Sequence, residues 1–142
     1  MIILDTDVLA ELMRPAVAPQ VLGWLDKQDT TELFLTSITQ AELLLGLTLI
    51  RKSKRRGDLT SRLFELLESE FDGRVLAFDA DATRAYARIC ADLRSDGRHI
   101  PALDAQIAAI AQTHGAGIAT RRVDEFRDCG VDVVNPWLAS SS

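Results

Sequence analysis

Short, unbroken apolar runs alternate along this chain with segments of helical periodicity. Met1 to Leu4 is apolar throughout, as a strand buried on both faces should be. Val8, Leu9, Leu12 and Met13 then recur at helical spacing up to Pro15, and Val17, Val21, Leu22 and Leu25 repeat the pattern. Leu33 to Leu35 reads as a second strand. From Ala41 a helix carrying Leu44, Leu45 and Ile50 is predicted to run through a basic segment and stop near Gly57. Leu59, Leu63, Leu66, Leu67 and Phe71 mark the next helix, and Val75 to Phe78 a third strand. A long helix through Ala82, Tyr86, Ile89 and Leu93 closes at Gly97. Pro101 opens another, through Leu103, Ile107 and Ile110 to about His114. Gly117 to Ala119 and Val131 to Val134 supply the fourth and fifth strands.

This alternation predicts an α/β fold of three layers: a central, mainly parallel, five-stranded sheet covered by helices on both faces. Such sheets bind ligands outside the carboxyl ends of their strands. Asp5 follows strand one, Thr36 to Thr39 follow strand two, and Thr120 follows strand four, so all should meet at one crevice. Length fits a single domain over 1–138, followed by a disordered tail at 139–142.

Composition narrows the function classes. With 47% hydrophobic and 26% charged residues the chain is globular, not disordered. No apolar run approaches membrane-spanning length, and Met1 leads straight into Ile2 without a basic leader, which implies a cytoplasmic protein. Cys90 and Cys129 lack metal-ligand spacing and read as reduced packing thiols. His99 and His114 have no ligand-like partner. The net charge of -5 argues against a chain that coats nucleic acid non-specifically, but not against an enzyme that acts on it. The dense run from Arg51 to Arg56 is either a solvated helix C-terminus, where cations are favoured, or an edge that binds phosphates or acids.

The chemistry rests on acids. Asp5 ends strand one, while Asp7, nearer the helix, is the better candidate for its N-cap. Glu42 closes Thr39-Gln40-Ala41-Glu42, which matches a capping box, yet its helix starts at the same sheet edge as Asp5. Asp104 sits in the first turn of its helix with Ala108 and Ala111 on the following turns, so the helix approaches the sheet closely. A carboxylate on such a face needs a partner. No Lys follows Lys54, and no Arg near this segment is closer than Arg98, so a divalent cation would be a natural partner. Carboxylates without Cys or His ligands select a hard ion, Mg²⁺ or Mn²⁺. Such ions activate water and stabilise charge in phosphodiester cleavage. The catalytic set is then Asp5, Glu42 and Asp104, with Asp5 and Asp104 holding the metal. Thr39, Thr120 and Arg121 would position substrate.

The same opening resembles the start of haloacid-dehalogenase-type phosphatases, in which the first Asp is a nucleophile. That chemistry uses a later Lys, and the second half of this chain has none.

The segments Ile3-Leu4-Asp5-Thr6-Asp7-Val8, Ser37-Ile38-Thr39-Gln40-Ala41-Glu42-Leu43, Ile100 to Ala109, Ala119-Thr120-Arg121 and Val134-Asn135-Pro136-Trp137 occur in an order and spacing that resemble PIN-domain ribonucleases. The resemblance is to the VapC toxins of type II toxin–antitoxin pairs, including the FitB-like branch, and it covers nearly the whole chain. It implies a PIN-like fold and a Mg²⁺- or Mn²⁺-dependent endoribonuclease acting on RNA, with Asp5, Glu42 and Asp104 at the family's acidic positions. It also implies a homodimer and a small VapB-like antitoxin, in a heterotetramer or larger complex. The surface of the 43–71 helical pair would be the docking groove, with acidic antitoxin residues meeting Arg51 to Arg56. Two positions depart from the family. Asp7 stands where Asn is common. Arg122 stands where relatives commonly carry Asp or Asn, and three readings follow. Asp124 or Glu125 takes over the fourth acidic position, the site binds metal more weakly with three acids, or Arg122 binds phosphate. An alternative function follows as well: a catalytically weakened binding module that works through complex formation with an antitoxin-like DNA-binding partner.

Overall fold

The computed structural model describes residues 1–139; Ser140 to Ser142 of the expected tail lie outside the described residues. Its elements are β1 (Ile2–Leu4), α1 (Thr6–Leu12), α2 (Pro19–Asp26), β2 (Leu33–Thr36), α3 (Ser37–Leu49), α4 (Lys54–Glu65) and β3 (Val75–Leu76). There follow α5 (Ala80–Ser95), α6 (Ala102–His114), β4 (Gly117–Ala119), α7 (Val123–Phe126) and β5 (Val133–Val134). The strands form one sheet in the order β3-β2-β1-β4-β5, and every pairing is parallel. The three-layer α/β expectation is met.

Side chains alternate across the sheet, as the pleat requires. Ile3, Ile118, Phe34 and Val133 face a core built with α5 and α6. Leu4, Leu33, Leu35 and Ala119 face a second core built with α1, α3 and α4. α6 is buried from Asp104 to Ala111 apart from Gln106, and its alanines let it wedge between the sheet and α5. It ends at Gly115, whose φ of 64° belongs to the left-handed region glycine adopts without strain.

Local boundaries differ from the periodicity in instructive ways. α3 starts at Ser37, four residues before the expected Ala41, because the buried Thr36 caps it through a hydrogen bond from the Thr39 amide (3.1 Å). Glu42 therefore lies in the second turn, and the capping-box reading fails. α3 ends at Leu49, and the basic run straddles a break: Arg51 to Ser53 are loop, while Lys54 to Arg56 form the first turn of α4. Ser53 caps that turn by accepting from the Arg56 amide (3.1 Å). The cations thus sit at a helix N-terminus, not the C-terminus that would favour them. Gly57 lies inside α4, and α4 passes without interruption into a π-helical turn, Leu66–Glu70. No described helix is long and apolar enough to cross a membrane.

Candidate functional site

The sheet order reverses at β1, because the chain adds β2 and β3 on one side and then returns to lay β4 on the other. The β1–β4 edge is therefore the switch point at which parallel α/β sheets open a crevice. In the β1–β4 register Leu4 pairs with Ala119, so the next residues, Asp5 and Thr120, leave the sheet side by side. The Asp5 amide still donates to the Ala119 carbonyl (2.9 Å), and the Thr120 amide to that of Val134 (2.9 Å). Both side chains are fully buried, and the Thr120 hydroxyl donates to Asp5 Oδ2 at 2.7 Å.

Asp5, not Asp7, is the N-cap of α1: its Oδ1 accepts from the Thr6 amide at 2.8 Å. Asp7 is instead a tie between α1 and the segment after β4. Its Oδ2 accepts from the Arg121 amide (2.9 Å), while Oδ1 is buried with no hydrogen-bond partner. Burial, and then the neighbouring Asp5 charge, push the Asp7 carboxyl above the ordinary Asp value, against the pull of the Arg121 amide and of Arg122.

Asp104 enters from the first turn of α6, only 3% exposed. Its partner was not visible along the chain. Arg122, at the start of α7, turns its guanidinium back into the crevice and forks onto Asp104, with Nη1 to Oδ2 at 2.9 Å and Nη2 to Oδ1 at 2.8 Å. The same Nη2 donates to Asp5 Oδ2 at 2.9 Å. Asp5 and Asp104 thus share one cation. The expectation that no cationic side chain comes near Asp104 is corrected: none lies close in sequence, but the fold delivers Arg122. Burial lowers the affinity of this guanidinium for its proton, but hydrogen bonds to Asp104 and then Asp5 outweigh it, leaving the pKa above the ordinary Arg value. Arg122 is therefore always charged here.

Glu42 reaches the crevice from α3. The Thr6 hydroxyl donates to its Oε1 at 2.9 Å and lies 3.0 Å from the Thr39 hydroxyl. Thr39 thus shares Thr6 with Glu42 and is fully buried. Glu42 does not join Asp5 and Asp104 on Arg122. Among the described residues no three Asp, Glu, His or Cys side chains gather closely enough to enclose an ion. Arg121 is exposed, and its guanidinium carbon sits over the Trp137 ring, 4.0 Å from the ring centre, as a cation–π pair at the rim. Asp124 pairs with Arg127 at 3.7 Å and is 90% exposed, and Glu125 is also exposed. Sequence reasoning missed Thr6 as the clamp on Glu42 and Trp137 as the bed of Arg121. Neither leaves a local signal, because each contact crosses elements.

The residues present suit a hard divalent ion. The inward donors of the crevice are carboxylate and hydroxyl oxygens, and two buried carboxylates already converge on a single positive group. Such an ion would contend with Arg122 for them.

The PIN domain family model matches residues 2–128. The VapC ribonuclease Y4jK of Sinorhizobium fredii is 42% identical over 137 residues, covering 96% of this chain and 98% of that protein. The toxin FitB of Neisseria gonorrhoeae is 39% identical over 137 residues, covering 96% of this chain and 99% of that protein. The crystal structure of FitAcB from Neisseria gonorrhoeae superposes with a TM-score of 0.90 at 38% identity, over 98% of this chain and 100% of that one. The chain therefore belongs to the PIN-domain family, within the branch of VapC- and FitB-type toxins.

Proposed function

We propose that this protein is a metal-dependent endoribonuclease that acts as the toxin of a toxin–antitoxin pair. One observation carries the reading. At the switch point of the sheet, Asp5 and Asp104 are buried and held against a single shared cation. That cation is Arg122 in this structure, and the oxygens it holds are the hard donors a divalent ion takes.

Asp5 and Asp104 would hold Mg²⁺ or Mn²⁺. When bound, that ion supplies an activated water and neutralises charge developing on the phosphate. The remaining roles belong to the chain. Thr120 fixes one Asp5 oxygen and the Thr6 amide the other, so this carboxylate cannot swing. Thr6 holds Glu42 with one oxygen engaged, leaving the other to accept a proton from the attacking water. Arg121, stiffened on Trp137, offers a cation to a phosphate at the rim.

For the partner we propose a VapB-like antitoxin. A groove of ≈ 690 Å³ between α4 and the segment that follows α1, lined by Met13, Leu59, Lys54, Arg55 and Arg62 among others, combines apolar and basic surface suited to an acidic amphipathic segment. A homodimer, and a heterotetramer or larger assembly with antitoxin, belong to the same proposal.

Arg122 favours a second reading. If its hold on both acids is permanent, the chain is a binding module that acts through complex formation with an antitoxin-like DNA-binding partner. RNA cleavage separates the two. Antitoxin-free protein incubated with total RNA in Mg²⁺ or Mn²⁺ should give discrete fragments, lost with EDTA and in Asp5→Asn. No cleavage by folded protein in either metal selects the binding module.

A further inference from the structure

We propose that Arg122 is an internal cation that competes with the divalent ion for Asp5 and Asp104, and so sets the affinity of this site for metal. The inference rests on the metal-nuclease reading and specifies how its ion is controlled. The guanidinium makes three charge-assisted hydrogen bonds of 2.8 to 2.9 Å to the two carboxylates. Those are the oxygens an ion would coordinate.

The backbone that brings Arg122 there is itself tied to the site. The Arg122 amide donates to the Thr120 hydroxyl (3.0 Å), the same hydroxyl that donates to Asp5. The aliphatic stem needs no deep burial to do this. The side chain is 39% exposed at the mouth of the crevice, so it has a path outward to solvent. The acids it neutralises have none, at 0% and 4% exposure. The arrangement is therefore asymmetric: the carboxylates are fixed and the cation is the movable member. Metal binds only molecules in which Arg122 has left, and apparent affinity falls by the fraction in that state. An acidic residue at this position would add a ligand; an arginine adds a competitor.

Mn²⁺ titration by calorimetry at neutral pH tests this on the full chain, with melting measured in EDTA and in Mn²⁺. Arg122→Gln should bind Mn²⁺ at least tenfold more tightly than the wild type. It should also melt lower in EDTA, where two buried carboxylates lose their counter-ion, and recover in Mn²⁺. Arg122→Lys keeps a charge but loses the fork, and should fall between the two; it carries the test if Arg122→Gln does not fold without metal. Asp104→Asn/Arg122→Gln should lose the tight binding. If the wild type binds Mn²⁺ and cleaves RNA while neither Arg122 variant binds more tightly, the competition is refuted and the nuclease reading stands. If no protein in the series shows Mn²⁺ binding that depends on Asp104, the metal-nuclease reading falls and takes the competition with it.

Discussion

Asp7 and Asp5 differ by two positions and have opposite circumstances. Every oxygen of Asp5 is engaged, by the Thr6 amide on one side and by Thr120 and Arg122 on the other. Asp7 keeps one buried oxygen without a partner, and its ionised form is opposed by burial and by Asp5. Asp7→Asn removes that charge while its amide oxygen still accepts from the Arg121 N–H. Its expected effect is a higher Tm than the wild type at neutral pH, with the difference closing as the pH falls and the wild-type carboxyl protonates. A lower Tm would show that the Asp7 charge is used, most plainly by Arg122. Asp7 also shows the limit of local reading, since an Asp just inside a helix is an ordinary cap candidate, yet here the cap is the residue that ends the strand.

At the scale of elements, the α3–α4 junction separates two kinds of basic residue. Arg56 is structural: its Nη1 donates to the carbonyl of Ile50, where α3 ends (3.3 Å). Lys54 and Arg55 are exposed in the first turn of α4 and line the groove toward α1. Reversing Lys54 and Arg55 to Glu places acids at a helix N-terminus, worth roughly 0.3–1 kcal/mol each in favour of the helix. The double variant should thus melt no lower than the wild type, yet bind an acidic antitoxin segment at least tenfold more weakly in a pull-down or calorimetric titration. Unchanged binding would move the docking surface elsewhere. Charge reversal at Arg56 would confuse the result, because it also unfastens the end of α3. The apolar periodicity across this region was continuous enough to suggest one helix to Gly57. The break at Ile50 to Ser53 comes from caps and from the turn α4 makes to pack beside α3, which a hydrophobic pattern does not encode.

At the scale of the molecule, β1 is the middle strand, and its three residues serve both cores. Ile3 lies wholly in the α5–α6 core and Leu4 wholly in the α1–α4 core, each 0% exposed. Ile3→Ala and Leu4→Ala should therefore each cost about 2–5 kcal/mol in chemical unfolding. Either loss should also weaken the metal binding proposed above, since both lie in the strand that Asp5 follows. A variant that melts normally at either position would contradict this two-core architecture.

The alternation of apolar runs with helical periods by itself determined the fold class, the five strands and the sheet edge at which Asp5 and Thr120 leave their strands side by side. These features are local: period two or 3.6 in hydrophobicity, a strand end, a first helical turn. Only the tertiary structure decided what the acids are doing there. Arg122 lies 18 residues from Asp104 and 117 from Asp5, and Thr6 lies 36 from Glu42. Such contacts exist because β4 returns beside β1 and α6 is driven against the sheet. The partner of a buried charge is chosen by the order in which strands are laid together, and that order is a property of the whole chain's packing.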